Sequence, residues 1–442
     1  VWIMPVNKVM ESFPNPKAGM FDIVIFDEAS QVGVHGLSIA YLGKKLIVVG
    51  DPEQISPTAI IKEDDVHGLI AKDLINIPHK EVYELKSSLF NLAALYTQTI
   101  LLKEHFRCRK ELIQFSNSLC YENKLKVLRY PQPKWKLDPA LEAIHVSGYE
   151  SINKTNEVEA DAIVNKIIEI ISDPKYDLRP DGNGGTRKTT IGVISLLGDQ
   201  QAKLVQEKIH NQILEEIIEE RDIRCGNAYA FQGDERDIMI LSMVKAPSID
   251  DPNKTIHPLT SNKKENRQQI NVSLSRARDK MILFHSVKSE DLSNPNDLRL
   301  QILNYFINYN EEILKGSIED LEKLYQQGIA SDFSYSVGKE IISRGYNVIA
   351  EFETGLNRTG ETEHGFRIDL VVQGEDSRLA VECDGDRFHT IDNWEEDFQR
   401  ESILRRAGWV FWRISGSQYY REPEKSLEPL WEKLKEMNIN PI

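Results

Sequence analysis

The chain is poor in several things, and each lack removes a class of protein. Its four cysteines, Cys108, Cys120, Cys225 and Cys383, form no C-x-x-C pair. That argues against a disulfide framework or a cysteine-ligated zinc site and suits a reducing, cytoplasmic compartment. No apolar run approaches the roughly 20 residues that a spanning helix needs, and no signal-peptide pattern opens the chain, so no membrane partner is expected. Positive charge is in deficit, with 54 Lys and Arg against 69 Asp and Glu and a net charge of −15. A uniformly basic coat is excluded, but a local basic groove is not, because steering depends on patches. Repeats and long low-complexity tracts are missing too. Finally, there is no G-x-x-x-x-G-K-[ST] phosphate loop. The nearest approach, Gly182 to Thr189, has Arg187 where the pattern needs Gly. It also precedes the strand-like run Ile191–Ser195 instead of following a strand, and reads as a flexible surface loop.

What is present begins with Ile23-Val24-Ile25-Phe26, an apolar strand that runs into Asp27-Glu28-Ala29-Ser30-Gln31. Adjacent carboxylates at the end of a buried strand can hold Mg²⁺ and aim a water at a γ-phosphate, Asp27 taking the metal and Glu28 the water. A second apolar run, Leu46–Val49, leads into Gly50-Asp51-Pro52-Glu53-Gln54-Ile55-Ser56-Pro57-Thr58. Polar turns at the carboxyl ends of strands are where α/β sheets carry their functional groups.

These two segments resemble motifs II and III of superfamily-one helicases of the Upf and senataxin type. The resemblance implies that Gln54 senses the γ-phosphate. Leu102 to Cys108 is similar to motif IV, which gives Arg107 a γ-phosphate contact. Asn227 to Glu235 resembles motif V, implying ribose and nucleic-acid contacts for Gln232, Gly233 and Glu235. Asn271 to Arg278 resembles motif VI, with Arg276 as arginine finger. A guanidinium fork suits that task, offering two directed donors and a fixed charge. Taken singly, each arginine reads as surface charge; it is the five motifs in order, from Asp27 to Arg278, that carry the likeness. ATP, Mg²⁺ and nucleic acid are the implied ligands. The missing phosphate loop is expected on an upstream helicase segment, the alternative being an ATP-dead remnant.

The length predicts about three domains. Residues 1–95 read as part of a first RecA-like domain and 96–295 as a second, with a parallel sheet. Residues 296–330 read as a helical connector and 331–442 as a separate α/β domain. Helices are expected over 87–99, 111–121 and 200–220, and strands over 191–195, 238–243 and 281–284. The polar stretches 173–190 and 246–265 read as surface insertions.

The last domain has its own chemistry. A helix over 337–344 carries Glu340, and strands are expected over 346–352, 366–372 and 379–385. If the last two form a hairpin, Asp369 and Glu382 can bind one hard cation, with the Cys383 carbonyl as a third oxygen. Metal-activated water could then attack a phosphodiester. Glu340, Arg367-Ile368-Asp369, Glu382-Cys383-Asp384-Gly385, His389 and Gly408 to Ile414 together resemble the PD-(D/E)XK nucleases, in the branch similar to very-short-patch-repair endonucleases. The likeness implies DNA cleavage with Mg²⁺ or Mn²⁺, in restriction, repair or defence. Asp384 stands where most members place Lys, so His389, or a second metal on Asp384, is the candidate for that role. The arginines of 399–406 suit either phosphate contacts or a solvated helix face. Trp394, Trp409 and Trp412 read as core. Two rivals remain: a non-catalytic DNA-binding module on an inactive nuclease fold, and an RNA helicase, against which the nuclease likeness favours DNA.

Overall fold

The computed structural model describes residues 1–57, 63–78, 80–84, 86–151, 153–181, 184–247, 256–309, 317–354, 367–375, 377–385 and 391–441. His389 lies outside them, as do Thr58 and Phe366.

The fold is α/β, as expected; five sheets form among the described residues, and the three that organise it are described in turn. The first has two parallel strands, Phe21–Phe26 and Gly43–Val48. Phe26, Ala29, Val32, Ile39, Leu42 and Leu89 form a small core on one side. The other side is bare, with Ile23 52%, Ile25 64% and Ile47 46% exposed. Apolar strand residues left this open amount to an unpartnered face.

The second sheet has five strands, all parallel. In spatial order they are Leu141–His145, Ala277–His285, Arg236–Ser242, Ile191–Ser195 and Arg224–Asn227. Strand alternation divides its side chains between two cores. Met239, Leu241, Met281 and Leu283 face one, and Ile238, Ile240, Ile282 and Phe284 face the other. Near-continuous apolar strands covered on both faces are what a parallel sheet requires.

The third sheet is mixed. Asn347–Glu353, Arg367–Gln373 and Arg378–Asp384 run antiparallel, and Phe411–Ser415 joins the last of them in parallel.

Several expectations needed correction. The helix foreseen over 200–220 is two, Gln200–Gln212 and Glu215–Glu220. Ile213 and Leu214 are extended between them, and the break lets Ile209, Ile213 and Ile218 enter one core. The stretch 173–190, read as a surface insertion, carries a hairpin. It pairs Leu178–Pro180 with Thr186–Lys188, and Arg179 is fully buried. Arg187 forks onto Asp237 at 2.5 and 2.7 Å, tying the hairpin to the central strand. Nor do the helices after residue 296 stand apart as a connector. Leu298, Ile302, Leu303 and Phe306 of Leu298–Ile307 enter the core of the five-stranded sheet. Leu321 of Ile318–Gln326 enters the core of the four-stranded one. The helix expected over 87–99 shortens to Leu89–Ala94, begun by Ser88, whose hydroxyl accepts from the Asn91 amide.

The back of the four-stranded sheet shares a core with the preceding lobe. Leu128, fully buried, packs with Ile368, Val371, Ala380, Leu404, Trp409 and Phe411, and Tyr130 joins them. Arg378 Nη2 donates to the Tyr130 carbonyl at 2.6 Å, and its guanidinium lies 4.0 Å from the Trp409 ring centroid. Gln132 Nε2 donates to the Gly408 carbonyl at 3.2 Å.

Leu128→Ala should therefore destabilise the C-terminal sheet by about 2–5 kcal/mol, although residue 128 lies far from it in sequence. Hydrogen exchange checks this: the amides of Arg367–Gln373 should lose protection. Unchanged protection there would mean that the shared core contributes nothing.

Candidate functional site

Two groups of polar residues converge, one between the first two sheets and one on the third. The first is built around the loop that follows Gly43–Val48. Gln54 bonds Asp51 through backbone and side chain, both at 3.1 Å. Ile55 is buried against Ala228 and Val272, so one apolar residue of the first lobe plugs into the second. Polar side chains close around it. Gln232 Nε2 donates to the Ile55 carbonyl at 3.0 Å. Gln268 Nε2 donates to the Pro52 carbonyl at 3.0 Å, and Arg267 Nη2 to Glu53 Oε1 at 3.0 Å. Asn271 Nδ2 donates to the Glu53 carbonyl at 3.0 Å and to the Tyr121 hydroxyl at 2.8 Å. Tyr121 in turn donates to Asp51 Oδ2 at 2.6 Å.

The motif residues sit along this junction. Asp27 is exposed at the strand end, its Oδ1 accepting from the Glu28 amide at 2.9 Å. Glu28 has a left-handed backbone (φ +52) and accepts from Gln31 Nε2 at 3.0 Å. A few residues into motif V, Gly233 has φ +77, and a Cβ there would lie 3.9 Å from Glu28 Oε1. The turn thus demands glycine and faces the Glu28 carboxylate across the cleft. Arg276 is almost fully buried, and its Nη2 donates to Gln54 Oε1 at 3.0 Å. Burial, and then the neighbouring Arg107, lower its proton affinity to about 10, so it stays charged at neutral pH. Arg107 Nε pairs with Glu235 Oε2, and Arg278 Nε with Glu235 Oε1 at 2.8 Å. Burial pushes the Glu235 carboxyl up, but Arg278 and Arg107 outweigh it and hold it below its ordinary value. Asp27, Glu28 and Gln54 thus belong to the first lobe and Arg107, Gln232, Gly233, Glu235 and Arg276 to the second; Arg276 reaches across to Gln54, while Arg107 is committed to Glu235.

Tyr121, Gln268 and Asn271 were not singled out beforehand. Gln268 and Asn271 carried a usable signal, since two amides one turn apart on a helix that buries them demand partners. Tyr121 carried none.

The second group lies on the third sheet. The antiparallel register pairs Leu370 with Val381 and Val371 with Ala380, which sets Asp369 opposite Glu382. On the other side, the pairs Ala350–Leu370 and Phe352–Ile368 bracket Glu351 against Asp369. Three carboxylates therefore cross three strands in a row, Glu351 among them unforeseen. A carboxylate inside the apolar run Val348 to Phe352 was the available signal. Burial raises Asp369, and the Cys383 amide, donating at 2.8 Å, partly offsets that. Burial pushes Glu382 up to about 7 against the pull of Arg400, and burial with Asp369 lifts Glu351 to about 7. Arg400 Nη2 donates to Glu382 Oε2 at 2.9 Å, while Glu382 Oε1 is buried with no hydrogen bond.

Some expected members are turned elsewhere. Arg413 Nη1 donates to both Asp384 oxygens, at 3.0 and 3.1 Å, which commits Asp384 to an ion pair and not to a second metal. Glu340 is partly exposed and bonds Arg344 Nε one turn on at 3.2 Å. Cys383 meets Asp369 through its amide. Among the described residues, no three His, Cys, Asp or Glu side chains are grouped to hold a metal ion. Asp369 and Glu382 still fit Mg²⁺, which commonly takes one or two carboxylates and completes its shell with water and phosphate oxygens. The unpaired Glu382 Oε1 is the observation that favours this.

The raised Glu382 carboxyl has a pH signature. Above pH 4.5 the unfolded chain releases this proton while the folded chain keeps it to about 7. Without added metal, stability should fall as pH rises through that window, Glu382 contributing on the order of 3 kcal/mol. Glu382→Gln should flatten the decline in urea unfolding midpoints between those pH values; an unaltered decline would count against a buried, protonated Glu382.

Comparison with known proteins agrees with both halves. Residues 85–288 match the AAA domain family AAA_12, and residues 333–434 match the restriction-endonuclease-like family REase_MTES_1575. A Mycoplasma pneumoniae protein named an uncharacterized ATP-dependent helicase, the MG140 homolog, is 25% identical over 97% of this chain and 38% of its own length. The MG140 protein of Mycoplasma genitalium is 27% identical over 73% of this chain and 28% of its own. Helicase sen1 of Schizosaccharomyces pombe is 26% identical over 62% of this chain and 15% of its own. The chain thus spans well under half the length of these relatives.

Proposed function

We propose that this chain, a superfamily-one helicase region joined to a restriction-endonuclease-like domain, belongs to an ATP-driven nucleic-acid motor that carries a metal-dependent DNA endonuclease. The helicase region has homologues in the Upf1 and Sen1 proteins, and the AAA match covers its second sheet. The motor reading is carried by Arg276 on Gln54, a bond that joins the two lobes at the point where a γ-phosphate would lie. A nucleotide there would meet Asp27 and Glu28 from one wall and Arg107 and Arg276 from the other. Asp27 would hold Mg²⁺, which would supply positive charge against the phosphates. Glu28 would orient the attacking water, and the two guanidinium groups would balance charge as the terminal phosphate leaves. Closing and opening of the lobes around Ile55 would convert that cycle into movement along a strand. The bare apolar face of the first sheet supports an upstream segment that completes this lobe and supplies the phosphate loop.

At the third sheet, Asp369 and Glu382 would hold Mg²⁺ or Mn²⁺, which supplies an activated water and polarises the scissile phosphate. Glu351 would add charge to the row, and Asp384 would steady Arg413. DNA is the preferred substrate because the nuclease-like half points to it, and restriction, repair or defence against foreign DNA is the setting that suits a motor joined to a cutter. The commitment of Asp384 to Arg413 favours one rival, a nuclease fold that grips DNA without cutting.

Incubated with duplex DNA, the chain should cut it only when Mg²⁺ or Mn²⁺ is present, and chelation or Asp369→Ala should abolish cutting. Cleavage that survives both would sink the site. Binding without cleavage at any metal concentration would favour the rival. In a protein that includes the upstream segment, Arg276→Ala should lower ATP turnover by about 10³-fold or more, in steady-state phosphate release. Near-normal turnover would remove Arg276 from the role of finger.

A further inference from the structure

The nuclease reading leaves one chemical gap. A positive group that steadies the phosphate is missing at position 384, where this chain has Asp. Arg413 does not fill the gap, since it is committed to Asp384 and to Glu401. Arg405 is paired with Glu401, and Arg406 lies over the Phe106 ring at 5.2 Å.

Arg400 differs from these. It sits on the helix Ile391–Arg406, donating through Nη2 to Glu382 Oε2 at 2.9 Å and through Nη1 to the Arg367 carbonyl at 2.9 Å. Its Nε is buried without a hydrogen bond, and so is Oε1 of the same Glu382. An arginine–carboxylate pair that serves only to hold a fold commonly closes two parallel bonds. Arg187 and Asp237 do so in this molecule, at 2.5 and 2.7 Å. The Arg400–Glu382 pair closes one. It is left with an unmet acceptor on the anion and an unmet donor on the cation, both in a buried setting where unmet polar groups are costly. The two unmet atoms have opposite needs. Oε1 lacks a cation or donor, and Nε lacks an anion or acceptor.

We propose that Arg400 is the phosphate-binding cation of the nuclease site, receiving the phosphodiester that a divalent ion on Asp369 and Glu382 brings to it. A metal–phosphate pair satisfies both atoms together: the ion completes Glu382, and a phosphate oxygen completes the guanidinium. The arginine reaches the site from a helix and not from the strand position of the absent lysine. Its second anchor, the Arg367 carbonyl, fixes the guanidinium against the strand that carries Asp369. Glu351, Asp369, Glu382 and Asp384 supply the negative charge of the site, and among the described residues Arg367 and Arg413 are further cations there. The assignment rests on the nuclease reading but predicts binding as well as cleavage.

The test measures binding of a labelled DNA duplex to the full chain, with and without Mn²⁺, alongside calorimetric titration of Mn²⁺ alone. Arg400→Gln should weaken Mn²⁺-dependent DNA binding by about tenfold or more while Mn²⁺ still binds. Arg400→Lys should recover part of the loss, because it restores charge without the fork. If the glutamine variant does not fold, Arg400→Met, which keeps the apolar stem, serves the same comparison. Equal DNA affinity for the charged and uncharged variants in Mn²⁺ would overturn the proposal. So would a loss of equal size without Mn²⁺, since the phosphate is held to arrive with the ion. An unsubstituted chain that binds DNA with Mn²⁺ but never cuts it overturns the nuclease reading alone and leaves the Arg400 comparison decisive.

Discussion

The helicase-like half depends on how the loop Asp51 to Ser56 is held. Its backbone carbonyls at Pro52, Glu53 and Ile55 accept side-chain donors from the opposite lobe, and Ile55 fills an apolar socket between Ala228 and Val272. Carbonyls in a loop have no ladder partner, so the opposite lobe completes them. The same contacts place Gln54 under Arg276 and turn Gly233 toward Glu28. Loss of the socket would therefore disturb three motifs together, even though Ile55 is no part of the chemistry. Tyr121 is the hinge pin of this arrangement: one hydroxyl joins Asp51 of the first lobe to Asn271 of the second.

Much of the fold was legible from alternation. The run Met239 to Leu241 and the run Met281 to Phe284 are apolar at every position, which fits strands buried on both faces, and they lie side by side at the centre of the sheet. Helix ends were harder. Nothing local at Ile213 ends a helix, since the break exists to serve packing with Ile209 and Ile218. The span after residue 296 read as a connector because it is charged, whereas its first helix gives four apolar residues to one core and its second gives Leu321 to another. Arg187, which looked like a loop residue, is anchored by Asp237 across fifty positions.

The two sites were legible to different depths. Motif order brought the cleft residues to notice, and opposing strand positions brought Asp369 and Glu382. Their counter-charges were not readable, because ion-pair partners carry no periodic signature. Arg400 lies 18 positions from Glu382, and Arg413 lies 29 from Asp384. The pairing of Arg413 with Asp384 changes the chemistry available to the site, and it could be seen only in three dimensions. Glu340, spaced one turn from Arg344, satisfies itself locally.

The core that Leu128 and Tyr130 share with Trp409 bears on dose and on reach. A domain tethered by a free chain meets its target at a concentration set by linker length, and that concentration thins as the linker grows. A domain seated in the flank of its neighbour has no such dependence. Its orientation is fixed by Arg378 and Gln132 and not by the peptide between the lobes, so wherever the second lobe sits, the carboxylate row is carried at a constant offset.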